Sequence, residues 1–203
     1  MPLPTCGKPL SRMLGYSSVY EKQLVEMPTP LFIKPLIRAG TADDAQRLSA
    51  LAMQVWLHTY ATQGVSSTIA GYVQSEFSTE RFQSLLFEQS SRVLVAELNN
   101  HLIGYAVVKF DSPCPEPCSA RAELSTLYVQ APFAGQGLGA SLLKAAESCA
   151  MQLASCALWL TVNAQNTRAM AFYAKHGYAK IGITQFRLGD ADHDNWVLLG
   201  QNV

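Results

Sequence analysis

The sequence predicts an α/β (α+β) fold in which helices cover both faces of one mixed central β-sheet. Runs of β-branched and aromatic residues alternate along the chain with segments whose apolar residues recur at helical spacing. In addition, the nearly continuous apolar run ALWLTV, from Ala157 to Val162, is typical of a strand covered on both faces. Strands interleaved with helices favour a layered sandwich around a single sheet.

Size and composition indicate one globular domain with an extension. The chain has 203 residues, of which 49% are apolar and 15% charged, and this is enough to bury a substantial core. Residues 1–31 are predicted to form an irregular N-terminal extension, because they are rich in Pro and Gly and show no sustained period. Residues 32–203 are predicted to form the domain.

The net charge and the cysteine content limit which binding partners and which cellular compartment the sequence predicts. The formal net charge is zero, which favours neither nucleic acid nor an anionic membrane as a partner. No apolar run approaches the ~20 residues of a membrane span. Five scattered cysteines do not suit a disulfide framework, so a cytoplasmic location is expected. Cys114 and Cys118 lack a second Cys or His pair nearby and are interpreted as loop residues, so no metal is expected.

The first half of the chain predicts a strand, three helices and a hairpin. Ile33 to Arg38 is the first predicted strand, and Thr41 to Asp44 has the pattern of a capping box. The apolar residues of the three helices fall at Leu48 to Tyr60, Ile69 to Phe77, and Phe82 to Leu86. Strands at Val93 to Glu97 and Leu102 to Phe110 are predicted to pair through a tight turn at Asn99-Asn100.

The second half predicts a strand that leads through a glycine-rich loop into a long helix. Arg121 to Val129 is that strand. The helix places one apolar stripe at Leu138, Leu142, Leu143, Ala146, Cys149, Ala150 and Leu153. Asn166 is placed to cap a short helix that Gly177 would end in a left-handed conformation. A closing hairpin is predicted with strands at Tyr178 to Leu188 and Asn195 to Leu199 and a loop at Gly189 to Asp194.

The glycine-rich loop is a candidate anion site. A glycine-rich turn that opens a helix leaves backbone N–H groups unpaired, and phosphate oxygens can approach them where no Cβ intervenes. The loop does not match a Walker A motif, because Ala140 and Ser141 follow Gly139 where that motif has Lys and then Ser or Thr. Gly135, Gly137 and Ala140 satisfy the loose dinucleotide pattern of an oxidoreductase. That pattern begins directly at the strand end, however, whereas Gln130 to Ala134 intervene here.

Two segments together resemble the GNAT superfamily of N-acetyltransferases. LYVQAPFAGQGLGASLLKAAE is similar to the superfamily's strand, Arg/Gln-x-x-Gly-x-Gly/Ala pyrophosphate loop and helix, with Ala134 in place of the Arg or Gln. NAQNTRAMAFYAKHGYAKIG, which starts at Asn163, is similar to the superfamily's second cofactor segment. The resemblance covers roughly Ile33 to Leu199. It implies a GNAT-like fold and an acyltransferase with acetyl-CoA as cosubstrate.

The resemblance also implies which residues hold acetyl-CoA. The pantetheine arm would lie between two parallel strands that separate near the middle of the sheet, here Leu124 to Val129 and Ala157 to Val162. It would pair with the main chain of Leu127, Tyr128 and Val129, and one of these N–H groups would polarise the thioester carbonyl. Asn166 would contact the cofactor from the other side. The pyrophosphate would lie against the loop residues Gly135, Gln136, Gly137, Leu138, Gly139 and Ala140.

Two residues are candidates for proton transfer. An amine arrives mostly as ammonium, because its pKa is ~10.4, and it must lose a proton before it attacks. Glu123 stands at the start of the central strand, where many superfamily members keep a carboxylate, and is the candidate general base. A solvated strand-end carboxylate is the alternative. Tyr173 matches the superfamily's usual tyrosine acid, which protonates the departing thiolate, and a packed core tyrosine is the alternative.

The acceptor is expected to be a primary amine of a small molecule or peptide. GITQFRLGDADHDNWVLL and YAKHGY are similar to the spermidine/spermine acetyltransferase branch found in bacteria. Candidate acceptor contacts are the acids Asp190, Asp192 and Asp194, with His58, Tyr60 and Tyr72, although turn, core or surface roles are the alternatives. A protein N-terminus or a lysine side chain is an alternative acceptor. A sensor module that binds acetyl-CoA without catalysis is an alternative function. The sequence also leaves open whether the protein forms a homodimer.

Overall fold

A seven-stranded sheet runs through the residues that the structure describes, which are 34–154 and 157–201. The structure is a computed structural model. The predicted extension at residues 1–31 lies outside the described residues, as do Ile33 and Cys156. The strands are β1 (Leu36–Ala39), β2 (Ser91–Leu98), β3 (His101–Lys109), β4 (Ala122–Val129), β5 (Leu158–Asn163), β6 (Tyr178–Leu188) and β7 (Ala191–Gly200). The helices are α1 (Ala45–Tyr60), α2 (Ser67–Glu76), α3 (Thr79–Phe87), α4 (Leu138–Ala154) and α5 (Thr167–Lys175).

The strand order is β1-β2-β3-β4-β5-β7-β6, and the pairing is antiparallel except between β4 and β5. These two parallel strands pair only at Ala122 with Leu158 and at Glu123 with Trp159. Beyond those pairs the two strands no longer bond to each other, which opens a gap in the sheet. On its other side β4 pairs with β3, and a register shift leaves Ser125 as the extra residue of a bulge. The mixed sheet that the sequence predicts is confirmed.

The two hairpins follow from their turn residues. Asn99 and Asn100 have φ values of 49° and 64°, the left-handed conformations that a two-residue turn between twisted strands requires. The closing hairpin is longer than predicted. Leu188 pairs directly with Ala191, so Gly189, with φ of 59°, and Asp190 complete the turn. The predicted loop from Gly189 to Asp194 was therefore wrong, because the acids after Asp190 continue the strand.

Helices lie on both faces of the sheet, and the core divides accordingly. The predicted stripe of α4 is buried from Leu138 to Ala150 except for Cys149, which is partly buried, and Leu153, at 56% exposed, falls outside the core. The cluster beneath α4 and α5 includes Leu142, Leu143, Leu160, Tyr173 and Leu198. On the opposite face, α1 and α3 cover Leu48, Leu51, Phe82, Val95 and Tyr105. Within the described residues, no helix is long and apolar enough to cross a membrane.

A buried ion cluster fixes the start of α1 to the sheet. The Asp44 side chain is 0% exposed, and its two oxygens accept hydrogen bonds from Arg38 at 2.7 and 3.0 Å. Thr41 donates to the same carboxylate from its backbone N–H, at 2.8 Å, and from its hydroxyl, at 3.0 Å. Arg47 also pairs with Asp44, and Arg38 pairs with Glu97 on β2. The hydrogen bonds from Arg38 hold the pKa of Asp44 well below its usual range.

Substitution of Asp44→Asn should destabilise the fold by about 3 kcal/mol, because Arg38 and Arg47 lose their shared carboxylate. The folded pKa of Asp44 lies below the unfolded value of about 3.9, so its stabilisation is present above that pH and is lost as the pH falls below about 4. Urea unfolding at neutral and acidic pH measures this. The exposed neighbour provides the control Asp43→Asn. An equal loss of stability in both variants at all pH values would contradict the assignment.

Candidate active site

The gap between β4 and β5 opens into a cavity of ≈ 650 Å³. Three consecutive β4 residues, Leu127, Tyr128 and Val129, line one side of it, as predicted for a ligand between separated strands. The α5 residues Tyr173 and Phe172 line the other side. The C-terminal turn of α1 contributes further wall residues, including His58 and Tyr60. The cavity therefore brings together residues of β4, α1 and α5 that are far apart in the sequence.

The glycine-rich loop forms one end of this cavity. Gly135 and Gly137 have φ values of 80° and 82°, a conformation that glycine adopts without strain. The positions that a Cβ would occupy at these two glycines are free of other atoms. Among the described residues, the N–H groups from Gly135 to Ala140 donate to no backbone carbonyl outside the helix, and Ser141 N–H makes the first such bond, to Gly137 at 3.0 Å. The loop thus presents a row of unpaired donors at the positive end of α4.

Most of the predicted loop residues line the cavity, but two do not. Gly135, Gly137, Gly139 and Ala140 are part of the lining. The Gln136 amide turns back and donates to the carbonyl of Pro132 at 2.9 Å. The Leu138 side chain is buried in the core beneath α4. These two residues can therefore contribute only their backbone N–H groups to a ligand in the cavity.

Asn166 begins α5 and connects it to α1. Its Oδ1 accepts a hydrogen bond from Ala169 N–H at 3.0 Å, which is the cap predicted from the sequence. The same side chain lines the cavity and lies beside the phenol of Tyr60, the last residue of α1. A contact across the cavity therefore ties helices from opposite faces of the sheet.

Four tyrosines converge around the cavity. Tyr60, Tyr128 and Tyr173 line it, and Tyr72 of α2 interacts electrostatically with Tyr60 and Tyr128. Burial raises the pKa of all four phenols, and that of Tyr72 to about 12. Burial disfavours the charged phenolate, so the four hydroxyls stay protonated at neutral pH. They can donate or accept hydrogen bonds but carry no charge.

Glu123 lies outside the cavity lining. It forms one of the two pairs that still join β4 to β5, and its Oε2 accepts a hydrogen bond from the Ser112 hydroxyl at 2.9 Å. The carbonyl of Ser112 in turn accepts a hydrogen bond from the Trp159 indole at 2.8 Å. The loop that contains Ser112 therefore fixes the carboxylate at the apex of the gap, where the two strands begin to separate.

The sequence analysis missed two positively charged side chains that line the cavity. Arg168 and Lys175 of α5 both line the cavity, whereas Ala134 presents only a methyl group at the loop. A signal was available, because positions 168, 172 and 175 recur at helical spacing and share one face of α5. Gln54 and Gln130, which hydrogen-bond to each other, also line the cavity. Their spacing of 76 residues gave no local signal.

The remaining predicted residues divide between the cavity and its surroundings. His58 and Tyr60 line the cavity and Tyr72 lies beside it, whereas the acids at 190, 192 and 194 are exposed on the closing hairpin. Cys114 and Cys118 pack on Trp159 from a loop, as predicted. Across residues 34–154 and 157–201, no three His, Cys, Asp or Glu side chains gather in a group that could hold a metal.

Comparison with known proteins places these features in a family. The model of the acetyltransferase (GNAT) family matches residues 52–178. An uncharacterized N-acetyltransferase of Mycobacterium tuberculosis is 31% identical over 153 residues, which cover 75% of this chain and 93% of the relative. A spermidine N(1)-acetyltransferase of Thermoplasma acidophilum is 24% identical over 166 residues, 80% of this chain and 94% of the relative. The crystal structure of PaiA N-acetyltransferase from the same organism, in complex with coenzyme A, superposes with a TM-score of 0.68 at 22% identity, covering 83% and 99% of the two chains.

Proposed function

This chain belongs to the GNAT family of acetyltransferases, and we propose that it transfers the acetyl group of acetyl-CoA to a primary amine of a small molecule or a peptide. The predicted family and cosubstrate are confirmed by that membership. The observation that carries the proposal is the cavity in the gap between β4 and β5. It has unpaired backbone donors at one end and a buried phenol, Tyr173, in its wall.

The residues present suit acetyl-CoA. Leu127, Tyr128 and Val129 lie along the part of β4 that β5 leaves unpaired, so their main chain is available to the pantetheine arm. The N–H groups from Gly135 to Ala140 would hold the pyrophosphate. Asn166 already caps α5 and would contact the cofactor from the opposite side. The family's usual Arg or Gln is replaced by Ala134, and we propose that Arg168 and Lys175 supply positive charge to the phosphates instead.

Tyr173 is the proposed proton donor to the departing thiolate. Its phenol is buried in the cavity wall and stays protonated at neutral pH. In the transfer, the amine nitrogen bonds to the acetyl carbon, the carbon–sulfur bond breaks, and the thiolate takes up a proton. The ordinary thiol pKa of about 8.5 is below that of the buried phenol, so complete transfer from Tyr173 is uphill. The hydrogen bond that Tyr173 donates to the thiolate would therefore supply most of its effect.

Glu123 is the proposed general base. Its carboxylate sits at the apex of the gap but does not line the cavity, so a proton from the acceptor would reach it through water. A negative charge at this position also attracts an ammonium acceptor. A non-catalytic sensor of acetyl-CoA is the alternative to the transferase. Both functions predict cofactor binding, but only the transferase predicts amine-dependent release of free thiol from acetyl-CoA.

Substitution of Gly137→Val should raise the Kd for acetyl-CoA by about 100-fold or more. A branched side chain at φ of 82° is strained, and it would occupy space that a phosphate needs. Gly64→Val is a matched control, because Gly64 also has a positive φ, 101°, and an open Cβ position but does not line the cavity. Calorimetric titration with acetyl-CoA measures both variants. Equal affinity in the two would refute the role of the loop.

Substitution of Tyr173→Phe should lower kcat by about 100-fold and leave the acetyl-CoA affinity nearly intact, because only the hydroxyl is removed. Steady-state thiol release measures the change. Tyr178→Phe is the control, since that buried phenol contacts the Tyr173 ring at 5.6 Å but hydrogen-bonds to Glu147 outside the cavity. Unchanged turnover in Tyr173→Phe would remove this residue as the donor.

Substitution of Glu123→Gln should lower kcat/KM for an amine by about tenfold or more at neutral pH. The deficit should shrink as the pH rises toward the amine pKa of about 10.4, because solvent then deprotonates the acceptor. A pH profile of thiol release for wild type, Glu123→Gln and the exposed-site control Glu80→Gln measures this. A deficit that is constant with pH would indicate a structural role through Ser112 instead.

A further inference from the structure

An aromatic wall adjoins the cavity on the face of the sheet that α1 and α2 cover. Trp56 stacks at 5.1 Å on both Tyr60 and Tyr72, and Tyr72 meets Phe186 of β6 edge-on at 5.8 Å. We define the aromatic wall as Trp56, Tyr60, Tyr72, Phe77, Tyr128 and Phe186, which contact one another ring to ring. All except Trp56 keep part of their surface exposed. The wall thus extends the cavity, through Tyr60 and Tyr128, toward the closing hairpin.

The closing hairpin directs one face toward this wall. Phe186 pairs with His193, and Thr184 pairs with Asn195, so these four side chains share the face that meets α2. All four are half-buried. The Thr68 methyl at the start of α2 lies 2.8 Å from the position that a Cβ at Gly189 would take. Helix α2 therefore leans on the tip of the hairpin, and the inner face of the hairpin borders the aromatic wall.

The carboxylates of the hairpin point the other way. Asp192 pairs with Arg187, and Asp194 pairs with Gln185, and all four of these residues are exposed on the outer face. No Asp or Glu is among the described residues that line the cavity. The exposed carboxylate of Glu76 interacts electrostatically with Tyr72 of the aromatic wall. The aromatic wall and the inner face of the hairpin therefore offer rings and neutral polar groups rather than buried negative charge.

One polar atom on the inner face is unsatisfied. The Oδ1 of Asn195 is buried and has no hydrogen-bond partner among the described residues. A buried carbonyl oxygen is costly without a donor, so a ligand N–H or O–H is a suitable complement. Asn195 pairs with Asn163 at the end of β5, beside the gap in the sheet. The unsatisfied atom therefore lies between the hairpin and the strand that borders the cavity.

We propose that the acceptor is a primary monoamine with an aromatic body and no second positive charge. This inference rests on the proposed transferase function and specifies its substrate class. The aromatic body packs against the aromatic wall, and Asn195 Oδ1 accepts a hydrogen bond from the acceptor. A single ammonium is attracted by the ring faces until it loses its proton. A second ammonium would leave water with no carboxylate in the described cavity lining to compensate it, which disfavours a polyamine.

Two amines with the same skeleton test whether the wild-type enzyme disfavours an acceptor with a second positive charge. The first is 2-phenylethylamine, and the second is its analogue with an aminomethyl group on the ring, which carries two positive charges. Thiol release from acetyl-CoA should give a kcat/KM at least about tenfold higher for the monoamine, with spermidine below both. A higher value for spermidine or the diamine would overturn the inference while the transferase function stands. No release with any of the three amines would overturn the inference, and release with a peptide amine in the same assay would show that the transferase function stands.

Two variants test the residues that carry the inference. Asn195→Asp places a carboxylate on the inner face of the hairpin and should raise the diamine-to-monoamine ratio of kcat/KM by about tenfold. Phe186→Leu removes one ring of the wall and should raise KM for 2-phenylethylamine but not for acetyl-CoA. Phe87→Leu is its control, because Phe87 is 76% exposed and lies outside the aromatic wall. An unchanged ratio in Asn195→Asp, or equal effects of Phe186→Leu and Phe87→Leu, would contradict the placement of the acceptor.

Discussion

The separation of β4 from β5 is the constraint on which the rest of this structure depends. Two residue pairs hold the strands together, and the six residues of β4 that follow Glu123 have no partner on that side. A backbone edge in the middle of a sheet is costly unless something else satisfies its polar groups. The sheet thus carries an opening whose edges are complementary to an extended, amide-containing ligand.

Short local motifs determine the structure at both ends of the opening between β4 and β5. At one end, glycines with positive φ let the chain leave β4 and begin α4 with its N–H groups exposed. Asn166 lies at the same open end, because β4 and β5 are parallel, and it begins α5 by capping that helix. The loop through Ser112 holds the apex by bonding both Glu123 and Trp159, the last paired residues of β4 and β5. Each device is encoded within a few residues, although the site that they frame is assembled from distant segments.

The features predicted from sequence are those with a local physical signature. The Asn99-Asn100 turn and the glycine loop depend on backbone conformations that few residue types adopt, and the Asn166 cap depends on a short side chain whose oxygen accepts a backbone N–H bond. The contact between Tyr60 and Asn166 could not be read from the chain, because their proximity is set by how two helices pack on opposite faces of the sheet. Leu153 continues the apolar period of α4 but is exposed, because the sheet that buries the rest of this stripe does not extend that far. The period of a helix does not reveal where the element that it packs against ends. The hairpin acids were misplaced in a loop because turn-forming residues also occur in exposed strands.

The contact between Tyr60 and Asn166 has an optical consequence. Trp56 stacks on Tyr60 one helical turn away, so the indole lies two contacts from the α5 cap. Any molecule that enters the cavity meets both partners of this contact. A shift of the Tyr60 ring changes the packing and polarity around Trp56, to which indole emission is sensitive. The protein therefore carries a built-in fluorophore next to its site, and occupancy can be followed without attaching a label.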